Sequence, residues 1–272
     1  MSDGLIIDQL KKNQILDLLK EGKRVDGRQF DEPRKLTIDI GVIPKAEGSA
    51  RARLGDTEVV AGVKVQPERP FPDTGDKGML ICTAEILPIA HPSAETGPPQ
   101  PPVVELARVT DRGIRESGML DMKQLVLEKD KSVIGVFCDN AVTDHDGNLF
   151  DACSYASTAA INSCKIPKYE MQDDAPVKIE GEFTEPPITT LPVSVTMAKI
   201  DDYIVVDPTI EEWGIMDARI TITSNSDGNV VALQKGGSDG FTQEELIKCA
   251  ETSVKVGSQI REIIKQSKQS DN

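Results

Sequence analysis

The chain has 272 residues, which is long enough to bury a large core as one domain or as two closely joined halves. Its 45 acidic and 31 basic side chains give a formal net charge of −14, which excludes a nucleic-acid binder that depends on overall positive charge. No apolar run approaches the roughly 18 residues of a membrane helix, and the N-terminus lacks a signal-peptide pattern, so a soluble cytoplasmic protein is predicted. Five widely spaced cysteines without a CxxC pair predict small buried side chains rather than disulfides or a zinc site.

The first half of the chain is predicted to contain one helix and then short strands. Apolar spacing indicates an amphipathic helix over residues 5–19. Gly55 and Asp56 form a hairpin-turn signal, and a loop rich in Pro and Gly covers residues 67–78. The predicted strands cover residues 36–43, 48–54, 57–66, 79–87 and 132–142. Residues 91–102 hold two Pro-Pro pairs, so we expect a non-helical segment that leads into a helix over residues 103–117.

The second half repeats the mixture of strands and helices. Asp151 is the predicted N-cap of a helix of small residues over residues 152–164. Thr242 and Glu245 have the spacing of a capping box at the start of a long final helix that ends near residue 268. Between these helices, strands are predicted at residues 191–198, 203–206, 218–223 and 230–235. The order of elements predicts an α+β fold with mixed sheets.

A stripe of arginines lies on the predicted helix over residues 103–117. Arg108, Arg112 and Arg115 recur at i, i+4 and i+7, which places them on one face, while the apolar side chains point the other way. Three guanidinium groups on one rigid helix can bind the phosphates of a polyanion. The alternative is an ordinary salt-bridged face, because Asp111 with Arg115, Arg112 with Glu116 and Glu105 with Arg108 all have pairing distances along the helix.

Few other residues suggest chemistry. His91 and His145 are the only histidines, and His91 precedes a proline, so a histidine base with an ordered nucleophile is not expected. An acidic cluster contains Asp207, Glu211, Glu212 and Asp217. Carboxylate oxygens at this spacing could bind a divalent metal, but a turn with solvated acids explains the cluster equally.

Four separate segments, in the same order, resemble the RNase PH family. They are RVDGR at residues 24–28, VVELARVTDRGIRES at 103–117, DHDGNLFDACSYASTAA at 144–160 and YIVVDPTIEEWGIMDARI at 203–220. More narrowly, they are similar to the non-catalytic RNase PH-type subunit of the archaeal exosome ring, over about residues 22–250. The resemblance implies one RNase PH-like domain over residues 1–272 with a duplicated βαβα fold. An N-terminal helix (1–22), a first half with linker (23–185) and a second half with the long C-terminal helix (186–272) would compose it.

The family implies phosphorolysis of RNA from its 3′ end, but this chain departs from the active pattern three times. Active members carry an Arg pair before the first-half helix, a Gly-Ser/Thr-Arg triplet that opens the next helix, and two Asp six residues apart. The corresponding residues here are Pro101 and Pro102, then Gly147, Asn148 and Leu149, and lastly Asp207 with Trp213 six residues later. The resemblance therefore implies no catalytic, cofactor-binding or metal-binding residue in this chain, with inorganic phosphate and a divalent metal at a partner's site.

The same resemblance gives the arginine stripe a function. Arg108, Arg112 and Arg115 match positions that hold RNA for the active partner, and Arg69 and Lys77 are a second candidate contact in a loop. That loop could equally be a solvated hairpin loop in which Pro72 and Gly75 fix turns. The implied partners are a catalytic RNase PH-type exosome subunit in a hexameric ring of three heterodimers, RNA-binding cap subunits and single-stranded RNA. The alternatives are a purely structural ring subunit without RNA contact, or an active phosphorolytic exoribonuclease that uses Asp207 with Glu211 or Glu212.

Overall fold

A computed structural model describes residues 2–173 and 175–270, with side chains from 11 to 173 and from 175 to 269. The described helices are α1 (Ser2–Lys20), α2 (Pro101–Glu116), α3 (Leu149–Asn162), α4 (Ile210–Ile215) and α5 (Gln243–Ser270). The first strands are β1 (Leu36–Ile40), β2 (Gly48–Leu54), β3 (Thr57–Glu68), β4 (Met79–Ile86), β5 (Val126–Glu128) and β6 (Ser132–Asp144). The later strands are β7 (Ile166–Gln172), β8 (Ala175–Thr184), β9 (Val193–Ile200), β10 (Tyr203–Val206), β11 (Ala218–Ser224) and β12 (Val230–Gly237).

The first half forms a six-stranded mixed sheet in the order β1-β2-β3-β6-β4, with β5 also paired to β6. All pairs are antiparallel except β4 with β6, which is parallel. The β2–β3 hairpin turns at Gly55, whose φ of 60° suits a residue without a side chain. This topology leaves β4 at one edge of the sheet, directly beneath the helix that follows it.

The second half forms a four-stranded antiparallel sheet in the order β10-β9-β11-β12. Helix α3 packs between the two sheets, and all of its residues are buried. Its small side chains permit close approach: a Cβ at Gly48 of β2 would lie 2.4 Å from the Ala160 carbonyl oxygen of α3. The N-terminal helix α1 adds a second, smaller core, in which Ile15 and Leu19 pack on β9 and β10.

The predicted fold class is confirmed: the molecule is α+β, with mixed sheets, an N-terminal helix and a long C-terminal helix. The capping box forms, because the Thr242 backbone N–H donates to Glu245 and the Glu245 N–H donates to the Thr242 hydroxyl. All five cysteines are free and buried, as predicted. In the described part of the chain, no helix is long and apolar enough to cross a membrane. The predicted division of the chain after residue 185 stays a prediction.

Two local predictions were wrong. Pro101 and Pro102 belong to the first turn of α2, where a missing N–H costs nothing because that position has no intrahelical partner. Asp151 is not the N-cap of α3, which begins at Leu149 after Asn148. The Asp151 carboxylate instead accepts hydrogen bonds from the backbone N–H and hydroxyl of Thr196, on the neighbouring sheet.

Four elements were not predicted, namely the strands β5, β7 and β8 and helix α4. Strand β5 has only three residues. The β7–β8 hairpin was missed although Val177, Ile179 and Phe183 of β8 alternate with polar residues, which is the period-2 pattern of a strand. Its second strand is almost wholly exposed. Helix α4 has only six residues, too few to show a helical period, although Thr209 and Glu212 form a capping box at its start.

Candidate nucleic-acid interface

Helix α2 is a rigid platform at the junction of the two sheets, in contact with both β4 and β12. Its apolar face is buried through Leu106, Val109 and Ile114, as the spacing predicted. Gly113 lies on the same face, where an added Cβ would lie 3.1 Å from the Thr223 hydroxyl of β11. The position and rotation of the opposite face are therefore fixed by packing.

The structure brings all three predicted arginines together on that opposite face. Arg108, Arg112 and Arg115 are exposed and line one open cleft of about 940 Å³. Ile81 of β4 and Gln234 of β12 lie on either side of the helix along the same cleft. Glu105, Asp111 and Glu116 line the same cleft, so its lining is balanced in charge and comes from both halves of the molecule.

Only one of the three ion pairs expected for an ordinary salt-bridged face forms. Arg115 pairs with Asp111 at 2.8 Å, and this hydrogen-bonded pair raises the pKa of Arg115. The Arg115 guanidinium also donates to the Leu80 carbonyl oxygen of β4 at 2.7 Å. Within the described residues, Arg108 and Arg112 have neither an ion pair nor a hydrogen bond. Two of the three guanidinium groups are therefore uncommitted.

The expected partner of Arg108 binds elsewhere. Glu105 accepts a hydrogen bond of 2.6 Å from Arg219 of β11 and one of 3.3 Å from Gln234 of β12. Because Arg219 comes from the other half of the chain, the spacing along α2 could not reveal this pair.

The second candidate contact, the loop that carries Arg69 and Lys77, lies at the same end of β4 as Arg115. Both basic side chains are exposed and have no ion pair or hydrogen bond among the described residues. The loop is fixed by its backbone: the Asp130 N–H donates to the Gly75 carbonyl oxygen, and a Cβ at Gly75 would overlap the Asp130 side chain. This agrees with Gly75 as a structural residue, while RNA contact by Arg69 and Lys77 stays a prediction.

The three departures from the active family pattern meet in space. Pro102, Leu149 and Trp213 all line one cavity of about 250 Å³ beside the start of α2. Trp213 stacks on Phe150 with 5.8 Å between ring centroids and 24° between ring planes. Residues that depart from the active pattern thus line one cavity, together with the polar residues Glu105, His145, Asn148 and Arg219.

One cation remains beside this cavity, and sequence analysis missed it. The Arg219 guanidinium lies 4.2 Å from the Phe150 ring centroid and 5.4 Å from that of Trp213. Glu105 neutralises it, and Gly236 permits its position, because an added Cβ there would lie 2.7 Å from the Arg219 Cζ. The only sequence signal was a charged residue inside the otherwise apolar and hydroxylated strand β11.

Asp207, the one carboxylate that matches the active pattern, is fully engaged by this chain. Its side chain accepts hydrogen bonds from Arg34 at 2.8 and 2.9 Å and from the Asn148 amide at 2.7 Å. Arg28 lies 3.3 Å away. Asp207 also has a left-handed φ of 50°, which this ring of donors stabilises.

The remaining acids of the cluster have similar partners. Arg24 forms a buried bidentate pair with Glu212, at 2.6 and 2.9 Å, and Lys12 binds Asp217 at 2.7 Å. Arg24 and Arg28 of the RVDGR segment therefore attach the N-terminal part of the chain to the segment around α4. No group of three or more His, Cys, Asp or Glu side chains in the described ranges is placed to hold a metal ion. The alternative of solvated acids was wrong for Asp207 and Glu212, which are buried and paired with arginines, while Asp217 is partly exposed and paired with Lys12.

Comparison with known proteins identifies the family. The model of the 3′ exoribonuclease family matches as domain 1 over residues 32–167 and as domain 2 over residues 190–256. The chain is 44% identical to the exosome complex component Rrp42 of Pyrococcus horikoshii, over 97% of each chain. It is 47% identical to the Rrp42 of Thermoplasma acidophilum, over 94% of this chain and 96% of that one. A chain of the Archaeoglobus fulgidus exosome, solved with RNA bound to the active site, superposes with a TM-score of 0.87 at 43% identity, over 94% of this chain and 98% of that one. The resemblance of the four segments is thereby confirmed, and the chain belongs to the 3′ exoribonuclease, or RNase PH, family.

Proposed function

We propose that this chain is a non-catalytic exosome component that binds single-stranded RNA and completes the active site of a catalytic RNase PH-type partner. The observation that carries the proposal is the pair Arg108 and Arg112, exposed and without a partner among the described residues, on a helix next to the cavity lined by Pro102, Leu149 and Trp213. The similarity to archaeal Rrp42 components over nearly the whole chain supports the same function.

In the proposed mechanism, the partner carries out the reaction and this chain binds the RNA. The partner binds inorganic phosphate and a divalent metal, and there the phosphate attacks the last phosphodiester and releases a nucleoside diphosphate. This chain holds the RNA backbone with Arg108, Arg112 and Arg115, whose planar guanidinium groups can donate forked hydrogen bonds to phosphate oxygens. Such contacts bind phosphate and sugar, so they position the RNA without selecting its sequence.

The assembly follows from the same proposal. We expect three heterodimers in a cytoplasmic hexameric ring, capped by RNA-binding subunits, with Arg69 and Lys77 as a further contact along the RNA path. The edge strands β4 and β12 flank the arginine cleft, and neither has a further strand paired to it within the described residues. An RNase PH-type partner at these edges would bring its own active site to the stripe.

Substitution of the uncommitted arginines tests the RNA contact. In the reconstituted ring, Arg108→Ala and Arg112→Ala should each weaken RNA binding. Each should also lower the slope of log K against log salt by about 0.7 to 1 unit, because one phosphate contact is lost. Lys45→Ala is the matched control, since Lys45 is an exposed, unpaired cation in the β1–β2 loop, at the far edge of the sheet from β4. Unchanged affinity and slope in both arginine variants would contradict the proposal and favour a purely structural subunit.

The alternative of an active enzyme has a separate test. The purified chain alone, given RNA, phosphate and Mg²⁺, should release no nucleoside diphosphates, because Asp207 and Glu212 are neutralised by Arg34 and Arg24. Phosphate-dependent release by the chain alone, lost in Asp207→Asn, would establish the alternative.

A further inference from the structure

The small cavity beside α2 has the size and lining of a site for one planar ring. Its volume of about 250 Å³ is just below the roughly 300 Å³ at which ordinary ligand pockets begin, so a single heterocycle fits and a whole nucleotide does not. The stacked rings of Phe150 and Trp213 form one wall, and Trp213 is only half-buried. Base stacking on aromatic rings is a general means of binding single-stranded nucleic acid.

Polar atoms with unmet hydrogen bonds accompany this apolar lining. Asn148 Oδ1 and Arg219 Nη1 are buried without a partner among the described residues, and both residues line the cavity. His145 also lines it; its Nδ1 accepts from the Gly147 N–H at 3.1 Å, so the neutral ring carries its proton on Nε2. Burial lowers the pKa of His145 and keeps the ring neutral. One acceptor and one donor without a partner thus belong to residues that line the cavity, and the edge of a nucleobase carries groups of both kinds.

The cavity adjoins the arginine cleft. Glu105 lines both spaces, and Arg108 follows it by three residues on the same helix. At 1.5 Å per residue this is about 4.5 Å along the helix axis, a short step of the kind that separates the phosphate of a nucleotide from its base. Arg108 therefore lies within one helical turn of Glu105, the residue that the cleft and the cavity share.

We propose that the cavity lined by Pro102, Leu149 and Trp213 binds one nucleobase of the RNA whose phosphate is held by Arg108. The inference rests on the proposed RNA contact of α2 and adds a base-stacking site to it. The cavity, where residues depart from the active pattern, thus holds one base and fixes the register of the RNA strand.

The chain provides its own reporter, because Trp213 is its single tryptophan. Adenosine 5′-monophosphate added to the full chain should quench Trp213 fluorescence saturably, whereas ribose 5-phosphate, which lacks the base, should not. Arg108→Ala should weaken the nucleotide several-fold and leave the quench at saturation unchanged. Equal effects of the two ligands, or no quench by the nucleotide, would overturn the proposal.

RNA binding by the assembled ring gives a second, independent measurement. Trp213→Leu should weaken RNA about tenfold, the order of loss for one base–aromatic stack, while Trp213→Phe should retain most of the affinity. Phe183→Leu, at an exposed aromatic residue of β8, is the control and should have no effect. Melting temperatures identify any variant that has lost its fold.

A coupling test separates stacking from a structural effect of Trp213. The test uses a set of RNAs that each lack the base at one position. At one of these positions, loss of the base should weaken RNA binding by the wild-type ring but should not weaken binding by the Trp213→Leu ring any further. If no position shows this coupling, the base site does not exist. The proposed function fails by a different result, namely unchanged binding in Arg108→Ala and Arg112→Ala.

Discussion

At the scale of single residues, Asp207 has a structural role in this chain. The carboxylate that matches the active pattern is only 1% exposed, with Arg34, Arg28 and Asn148 around it. A buried carboxylate requires such partners, because an unpaired charge in the interior is strongly destabilising. The RVDGR segment thereby acquires a structural explanation: its arginines neutralise Asp207 and Glu212 and join the N-terminal segment to α4.

Neutralising Asp207 should therefore cost stability rather than activity. Asp207→Asn keeps the size of the side chain and a residue type that tolerates the left-handed φ, but it removes the closer counter-charge of buried Arg34, which keeps only Asp146 at 3.3 Å. We expect the free energy of unfolding to fall by about 3 kcal/mol, the order of loss when a buried ion pair is broken. Urea unfolding measures it. Glu251→Ala on the exposed face of α5 is the control, and an equally small effect of both substitutions would refute the structural role of Asp207.

The buried acid Asp151 gives stability a pH dependence. Burial raises its pKa to about 7, so the folded state binds a proton that the unfolded state releases near pH 4. The contribution of Asp151 to the free energy of unfolding is fully present below the pKa of the unfolded state. It is lost as pH rises towards 7, by up to about 1.4 kcal/mol per pH unit. Asp151→Asn should remove this component, so unfolding measured at pH 5 and pH 8 should differ less in the variant. Identical pH profiles for both proteins would contradict the assignment.

At the scale of elements, the close approach of α3 to β2 joins the helix to the first sheet. Some of these elements could be predicted from the sequence, and their contacts could not. Strands such as Gly48–Leu54 and Tyr203–Val206 were predicted to the residue because their boundaries carry turn signals. The cavity could not be predicted from spacing, since Pro102, Leu149 and Trp213 come from separate elements and meet only when the two sheets pack on α3. The pairing of Glu105 with Arg108 was wrongly predicted for a related reason. Helical spacing identifies neighbours on one helix, but it cannot reveal that Arg219 of another element competes for Glu105.

Gly48 tests the packing of α3 directly. An alanine there would place its Cβ 2.4 Å from the Ala160 carbonyl oxygen and 2.5 Å from Cys164 Cβ, so helix and strand must move apart. Gly48→Ala should lower the free energy of unfolding by about 1–3 kcal/mol, as overpacking of a dense core does. Gly214→Ala in α4 is the matched control, because an added Cβ there meets nothing within 4 Å, and it should be neutral or mildly stabilising. Equal free energies of unfolding for the two variants would show that β2 and α3 can move apart without loss of stability.

At the scale of the whole molecule, a net charge of −14 conflicts with RNA binding by the isolated chain. The arginine cleft offers two unpaired cations, Arg108 and Arg112, and RNA held there is repelled by the rest of the acidic surface. A partner that supplies further cations and the reacting groups resolves the conflict. The unpaired edges of β4 and β12 beside the cleft are where such a partner would complete it.

The reconstituted complex should therefore degrade RNA faster than either chain does alone. We expect a mixture of this chain with a catalytic RNase PH-type exosome subunit to form a ring-sized particle by light scattering and to degrade RNA rapidly when phosphate is present. The chain alone should be inactive, and the partner alone should be weakly active, because the RNA then lacks the cations of α2. A mixture that carries both Arg108→Ala and Arg112→Ala separates assembly from RNA holding: the ring should still form, while decay slows and becomes less sensitive to salt, since fewer phosphates are neutralised. Loss of the ring itself in this variant would instead assign the two arginines to the subunit interface.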